Sequence, residues 1–448
     1  MKIVRNLIIL SEYESVTFEE LRKELSNSFK DIDSEKEVLS IINQITLINK
    51  KLGIKIIKLL WDKLKATQYV GFIRLRNFVI QIIPKIFQSD DSKNLEFLTY
   101  MIEYLNKQII SMKNLDIGLI DSVKGNLFEY YIYLFVKSLR DFLKSEILKT
   151  YVKIKKNDTK FKGKLIISQQ IKLNYNKEWK YYCQYDKFTL DNLFNQIIKY
   201  VLLLLKIQIS VLNIKRYIKE ILNYLDDVSY KFITLQDFES LQFDRMNMNY
   251  KPFIDFCKLI IMQSTINFNT SNLHLFYFVF DMNRLFEAFL SEFIRKNISK
   301  LNINSEYKLQ EVQIQHILGR LFNNFGLKCD LLIDYQRNGD ISTLLLDFKY
   351  KLLSSEKKKL GLSQSDFYQM FAYSQSTNRK FQNIILLYPK SELEKINFNE
   401  TYEHFIKLDK KIKIFIKSID LEMIFGRKTR SERENLLVIA LNQVLNII

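Results

Sequence analysis

Leu344-Leu345-Leu346-Asp347-Phe348-Lys349 reads as a buried strand that ends in an acid and a base. Three consecutive leucines suit a strand covered on both faces. Residues two apart on a strand point the same way, so Asp347 and Lys349 project together while Phe348 packs behind them. Upstream, Cys329-Asp330 lies within a second β-type run, Leu327–Tyr335. A turn at Asn338-Gly339-Asp340 would fold that run back and set Asp330 beside Asp347. Downstream, Gln369 and Tyr373 share one face of an expected helix over Ser365–Ser376, because residues four apart stack on a helix. Two carboxylates at a strand edge, with no His or Cys beside them, make a hard oxygen site suited to Mg²⁺ or Mn²⁺. Lys349 adds a donor that can orient an attacking water or stabilise charge on a scissile phosphate.

An Asp-x-Lys on a strand occurs by chance in most large proteins. Its weight here comes from Asp330 one hairpin upstream and Gln369 with Tyr373 on the next helix. Asp334, Asp340 and Asp366 read as turn or cap residues. His274, His316 and His404 have no metal-ligand spacing and read as structural or surface residues.

The chain of 448 residues carries a formal charge of +18, with 47% hydrophobic and 14% aromatic residues. That is ample core material and argues against disorder. The charge favours a polyanionic partner such as nucleic acid. It is equally what a Lys-, Ile- and Asn-rich composition with 10 Gly and 3 Pro would produce. No apolar run approaches the roughly 18–20 residues of a membrane span. Met1–Leu10 has no small-residue cleavage site, so no secretory signal is expected. Cys183, Cys257 and Cys329 are too widely spaced for a disulfide framework or zinc site, and a cytoplasmic setting follows.

The pattern predicts an α+β fold with helix-rich N-terminal and middle regions and a β-hairpin, followed by a C-terminal mixed sheet flanked by helices. Thr17-Phe18-Glu19-Glu20 is a capping box opening a helix, and Glu35 to Lys65 reads as another. Tyr69–Leu75 and Phe78–Ile83 form the hairpin around Arg76-Asn77. Leu95–Met112, Asp121–Lys149, Thr189–Leu225 and Pro252–Phe268 read as helix, with Tyr151–Tyr182 mixed. Asp281–Asn297 is a helix with a stripe of Leu285, Phe289 and Phe293. Asn383–Tyr388 and Ile412–Ile419 are expected strands, and Arg430–Ile447 a closing helix. The expected divisions are an N-terminal domain over 1–115, a middle region over 116–270 and a C-terminal domain over 271–448. Within the middle region, 151–180 holds nine lysines against Asp158 and Glu178, a net +7. Lys153, Lys155, Lys156, Lys160, Lys162 and Lys164 are candidate DNA contacts there, and a solvated face is the competing reading.

Asp330, Asp347-x-Lys349 and Gln369-x-x-x-Tyr373 resemble the PD-(D/E)xK nucleases and the extra motif of their RecB-like branch. The usual Pro before the first Asp is Cys329 here, which alters backbone stiffness and removes no ligand. In that superfamily a Glu from a preceding helix commonly completes the metal shell, and Glu287 in Asp281–Glu287 is the matching candidate. The resemblance thus implies Asp330, Asp347 and Glu287 as metal ligands, with Lys349 as the fourth catalytic residue.

Further blocks resemble the McrC family in the expected order. Val70–Ile73 and Ile80–Ile86 look like its N-terminal hairpin. Phe161-Lys162-Gly163-Lys164-Leu165 resembles its Arg-Gly-Lys-Leu segment, with Lys162 in place of Arg. Cys183–Thr189 with Asp191-Asn192 and Asn195 resembles its middle motif, and Asp281–Glu287, Leu346–Lys351 and Asp366–Tyr373 its nuclease end. This resemblance implies a Mg²⁺-dependent (or Mn²⁺-dependent) DNA endonuclease subunit of a modification-dependent restriction system. It implies an AAA+ GTPase partner of McrB type, a hexameric ring that carries the modified-DNA reader and whose nucleotide hydrolysis this chain would stimulate. The chain has no Gly-x-x-x-x-Gly-Lys-(Ser/Thr) loop, so it is expected to bind no nucleotide itself. Two other readings stay open: a non-enzymatic assembly subunit of such a ring, and a free-standing RecB-like nuclease.

Overall fold

The computed structural model describes residues 1–4, 6–29, 33–87, 90–105, 126–145, 147–264, 276–301, 308–315, 317–321, 325–337, 340–354, 362–375, 381–390, 399–407, 410–426 and 429–445. The fold is α+β, in two compact units. One comprises Met1–Lys107, Lys113–Leu127 and Tyr277–Ile448; the other comprises Gln108–Met112 and Phe128–Phe276. The expected N-terminal and C-terminal regions therefore contribute to a single unit.

The first unit begins with β1 (Lys2–Val4), β2 (Leu7–Ser11), β3 (Ser15–Thr17), α1 (Phe18–Ser28) and α2 (Ser34–Leu52). Thr17 and Glu20 close the capping box in both directions, as their spacing predicts. The helix expected from Glu35 to Lys65 ends at Leu52. Gly53 takes φ +65 there, a left-handed stop that costs a glycine no Cβ clash. Beyond it, alternating burial builds β4 (Ile57–Leu59) and β5 (Lys63–Ala66), which pair antiparallel. Next, β6 (Tyr69–Arg74) and β7 (Val79–Ile83) form the expected hairpin. β7 also pairs parallel with β2, an addition that local periodicity does not show. α3 (Asp91–Leu105) follows; the part of that expected helix beyond Leu105 lies outside the described residues.

The second unit holds α4 (Leu127–Ser145, whose first residue belongs to the first unit), β8 (Thr150–Asp158), β9 (Lys164–Leu165), α5 (Ile167–Asn174) and β10 (Tyr181–Thr189). It continues with α6 (Leu193–Gln208), α7 (Leu212–Tyr224), α8 (Leu235–Glu239) and α9 (Lys251–Ser264). The ends of the expected helices at 121–125 and 265–268 lie outside the described residues. The single helix expected over Thr189–Leu225 is broken between α6 and α7. β8, β10 and β9 make a three-stranded sheet in that order. Asn192 and Asn195, from the middle motif, each donate at 2.9 Å to the Leu148 carbonyl. Asn192 also caps α6. These motif residues are architectural.

The chain then returns to the first unit with β11 (Phe276–Asp281, whose first residue belongs to the second unit) and α10 (Met282–Lys296), capped by Asp281. β12 (Lys308–Ile314), β13 (Ile317–Leu321), β14 (Phe325–Lys328), β15 (Leu331–Arg337) and β16 (Asp340–Phe348) follow. α11 (Gln364–Gln375), β17 (Phe381–Pro389), β18 (Asn399–Lys407), β19 (Lys410–Ile419) and α12 (Arg430–Leu445) complete it. The six-stranded sheet runs β12-β15-β16-β17-β19-β18. β15 and β16 pair antiparallel, whereas β16, β17 and β19 are parallel. A central strand in such a sheet is covered on both faces, and Leu344, Leu345 and Leu346 are all 0% exposed. Each contributes roughly 1.5–3 kcal/mol by burial. No described helix is long and apolar enough to cross a membrane.

α10 packs its Phe stripe on α3: the Phe289 ring lies 5.7 Å from Tyr100 and 5.4 Å from Tyr104. On the same α3, buried Glu96 forms an ion pair with buried Arg433 of α12 at 2.7 Å. These contacts tie the helix before the second unit to the last helix of the chain.

Candidate active site

The site forms where β15 begins and β16 ends. The antiparallel register sets Leu331 opposite Leu346, so Asp330 falls beside Asp347. The turn residues Asn338 and Gly339 lie outside the described residues, but the pairing of Arg337 with Asp340 shows the fold-back. Asp330 Oδ2 accepts a 2.8 Å hydrogen bond from the Phe348 backbone N–H, which fixes its carboxylate against the end of β16. Asp347 is only 1% exposed. Lys349 Nζ stands 2.7 Å from Asp347 Oδ2 as an ion pair. The Lys349 ammonium is the main counterweight to the burial of this carboxylate.

α11 supplies the next layer. Gln369 Oε1 accepts a 2.9 Å hydrogen bond from Lys349 Nζ. Gln369 Nε2 donates to the Tyr373 hydroxyl, which donates in turn to the Lys328 carbonyl at 2.6 Å. The helix pair predicted to share a face therefore runs a relay from the lysine back to the strand end that carries Asp330. Met370 and Tyr373 of α11 sit in the core with Cys329, Leu345 and Leu386, which holds the relay against the sheet. Cys329 is wholly buried and occupies the position before the first Asp as an apolar residue.

Crowded acids perturb one another. Burial, then the carboxylates of Asp347 and Glu287, push Asp330 up to about 7. Burial likewise drives Glu287 to about 7, with Asp347 and Asp281 adding to it and Lys349 opposing. Asp347 is raised by burial against the pull of Lys349. Burial alone would lower Lys349, but Asp347 more than offsets this and its pKa is raised. Lys349 is therefore a cation at neutral pH. The carboxylates are held in a state that favours any positive charge nearby.

Glu287, on the first half of α10, is half-buried and within electrostatic reach of Asp330, Asp347 and Lys349. As the side chains lie, no three carboxylate, His or Cys groups among the described residues form a ready-made metal cluster. The donor set nevertheless suits a hard divalent cation: all oxygens, mutually repelling, with one ammonium among three carboxylates. Asp334 accepts from Thr343 Oγ1 at 2.6 Å, and Asp366 exchanges hydrogen bonds with Ser363 ahead of α11. Asp334, expected in a turn or cap, instead lies within β15, whereas Asp366 caps the first turn of α11 as expected and also reaches Asp347 and Lys349 electrostatically. Nothing is described of the side chains of Asp340 and His404, and His274 and His316 lie outside the described residues.

One neighbour has no local sequence signature. Tyr350, the residue after Lys349, donates a 2.8 Å hydrogen bond to Glu12 Oε2. Glu12 follows β2 and is 4% exposed. Burial raises its carboxyl to about 7 although the Tyr350 bond works the other way. Only the folding together of the two ends of the chain brings these residues into contact.

Lys153 and Lys155 lie on β8 with exposed Tyr151, and Lys156, Lys160, Lys162 and Lys164 are exposed beside them. Lys162 pairs with Asp158 at 3.7 Å. All six belong to the second unit.

The molecule is thus an α+β protein whose mixed C-terminal sheet presents a buried acid–lysine cluster at one strand end. Residues 64–389 match the McrBC family, described as a 5-methylcytosine restriction system component, and the chain belongs to that family. It is a restriction subunit of McrBC type. A structure described as a refined half-complex from a tetradecameric assembly of Thermococcus gammatolerans McrB AAA+ hexamers with bound McrC has the same fold. It aligns with a TM-score of 0.66 at 20% identity, covering 98% of this chain and 100% of that one. A cryo-EM structure of the Thermococcus gammatolerans McrBC complex aligns over 65% of this chain and 88% of its own at 21% identity, with a TM-score of 0.45. No curated protein matches by sequence.

Proposed function

We propose that this chain is the DNA-cutting subunit of a McrBC-type restriction complex, hydrolysing phosphodiester bonds with a divalent metal at a PD-(D/E)xK site. One observation carries the reading: Asp347 is almost fully buried with a single ammonium among the described residues, Lys349 Nζ, 2.7 Å away, while the carboxylates of Asp330 and Glu287 crowd the same pair. One ammonium offsets one of these three carboxylates, and burying the other two is costly unless further positive charge compensates them. Mg²⁺ or Mn²⁺ would be held by Asp330 and Asp347 with Glu287; when bound, it supplies Lewis-acid stabilisation of the phosphate and lowers the pKa of a water. Lys349 stays protonated, so it acts as a donor that orients the attacking water and stabilises charge on the phosphate. Gln369 and Tyr373 keep its ammonium pointed.

The substrate is double-stranded DNA, with the modified base read by a partner. The chain lacks a phosphate-binding loop, so nucleotide energy comes from that partner, a hexameric AAA+ GTPase of the McrB kind. The Thermococcus gammatolerans structure, described as McrB AAA+ hexamers with bound McrC, supports this pairing. Residues 1–115 are the part proposed to engage and stimulate the ring, with Lys153, Lys155, Lys156, Lys160, Lys162 and Lys164 as weaker DNA contacts. The test is Asp347→Ala in the reconstituted complex. Cleavage of methylated plasmid is lost while GTPase stimulation and assembly persist. Continued cutting by that variant would sink the assignment.

A further inference from the structure

Residues 15–66 build a module that the site does not use. β3, α1, α2, β4 and β5 follow in that order, and the strands pair antiparallel as β3-β5-β4. Two helices in succession closed by a three-stranded sheet of this order have the element order of a helix-turn-helix with a β-hairpin wing. Its core is local: Leu21 and Leu25 of α1, Ile41 and Ile45 of α2, and Leu64 of β5 are all buried. In such modules the second helix enters the major groove and the wing lies along the backbone.

We propose that this module is a double-stranded DNA-binding site, with α2 as its groove-facing helix and the β4–β5 hairpin as its phosphate clamp. Burial alternates along the hairpin, with Ile57, Leu64 and Ala66 inward. Lys58, Lys63 and Lys65 consequently share the outward face. The register sets Lys58 directly opposite Lys65, a like-charge pairing that disfavours the sheet until an anion lies across it. No described carboxylate forms an ion pair with any of the three. At the hairpin tip Trp61 is 99% exposed, a planar face placed where it can lie against sugar or base.

The outward face of α2 fits the same partner. Asn43, Thr46 and Lys50 are exposed at helical spacing, giving two groups able to read base edges and one for phosphate. Leu39 and Leu47 stand beside them, 61% and 52% exposed, as apolar surface that thymine methyls can meet. The acids of α2 are engaged elsewhere: Glu35 pairs with Arg22 at 2.9 Å and Glu37 accepts from Asn77. Polyanion-facing charge is therefore left uncancelled on this face.

The experiment measures binding of the full-length chain to a fluorescent unmethylated duplex about three helical turns long, in EDTA, across a salt series. EDTA removes cleavage from the readout, so failure here and failure of the nuclease reading are separate results. Lys58→Ala/Lys63→Ala/Lys65→Ala is expected to weaken binding at least about tenfold and to flatten the salt slope by about three, one per lost phosphate contact. Trp61→Ala weakens it further, and the matching triple Lys→Arg variant retains affinity, separating lost charge from lost fold. The same triple alanine change at Lys153, Lys155 and Lys156 serves as the comparison. Wild-type binding by the hairpin variant, or a loss no greater than that of the comparison, overturns the proposal. So does unchanged DNA binding with lost capture of the AAA+ partner, which would make this face a protein interface.

Discussion

Gln369 Oε1 accepts a 2.9 Å hydrogen bond from Lys349 Nζ, whose other neighbour is the Asp347 carboxylate at 2.7 Å. The lysine is thus held from two sides by groups on different elements. A hydrogen bond to a charged group is worth about 1.5–3 kcal/mol. Gln369→Ala should therefore lower single-turnover cleavage about 10–100-fold with DNA affinity and GTPase stimulation unchanged. A variant that cuts at the wild-type rate would show that the bond does not position Lys349.

Acidity gives a second prediction. Asp330 and Glu287 are both raised to about 7, above ordinary carboxyl values. Such groups take up protons in the folded state, so their contribution to metal-free stability is full below the unfolded carboxyl range and is lost as pH rises through about 7. Asp330→Asn should accordingly raise Tm more at pH 8 than at pH 5. Divalent metal must displace the same protons, so the Mg²⁺ needed for half-maximal cleavage should rise as pH falls from 8 to 6. Thermal melts and metal titrations at those pH values check both.

Glu96 and Arg433 form a buried pair whose loss should be asymmetric. Arg433→Ala leaves the Glu96 charge without its partner and should cost about 3–5 kcal/mol. Replacing both, as Glu96→Leu with Arg433→Met, should recover most of that loss because neither charge is then stranded. Urea unfolding of the two variants measures the difference, and equal destabilisation would mean that packing, not charge, is at stake.

Gly71 sits in β6 at φ +127, and a Cβ placed there would lie 2.0 Å from the Phe278 carbonyl oxygen of β11. Gly71→Ala combines a strained backbone with a collision against main chain. It should destabilise the protein by about 3 kcal/mol or more, read as a lower urea midpoint. A neutral result would show that β11 can move away at little cost.

The juxtaposition of the candidate site residues was legible because each step depends on a short-range rule. Strand alternation put Asp347 and Lys349 together, hairpin reversal added Asp330, and helix periodicity paired Gln369 with Tyr373. The capping box at Thr17 and the β6–β7 hairpin are equally local. Errors fell where local patterns were ambiguous. The Ile- and Lys-rich run after Leu52 fits a helix or an alternating strand equally well, and Gly53 together with pairing to β5 decided for the strand. Strands β1, β2 and β18 are short or belong to pairings between distant segments, and periodicity has no access to those partners.

By itself the sequence determined the grouping of the candidate residues: which acids, which lysine, and which helix face accompany one another. Only the tertiary structure decided what surrounds them. It set Glu12 against Tyr350, one residue from Lys349, placed both ends of the chain in one unit, and buried Asp347 against that lysine. The physical reason is range. Backbone periodicity acts over a few residues, whereas burial and charge compensation depend on whichever distant segments share the same small volume.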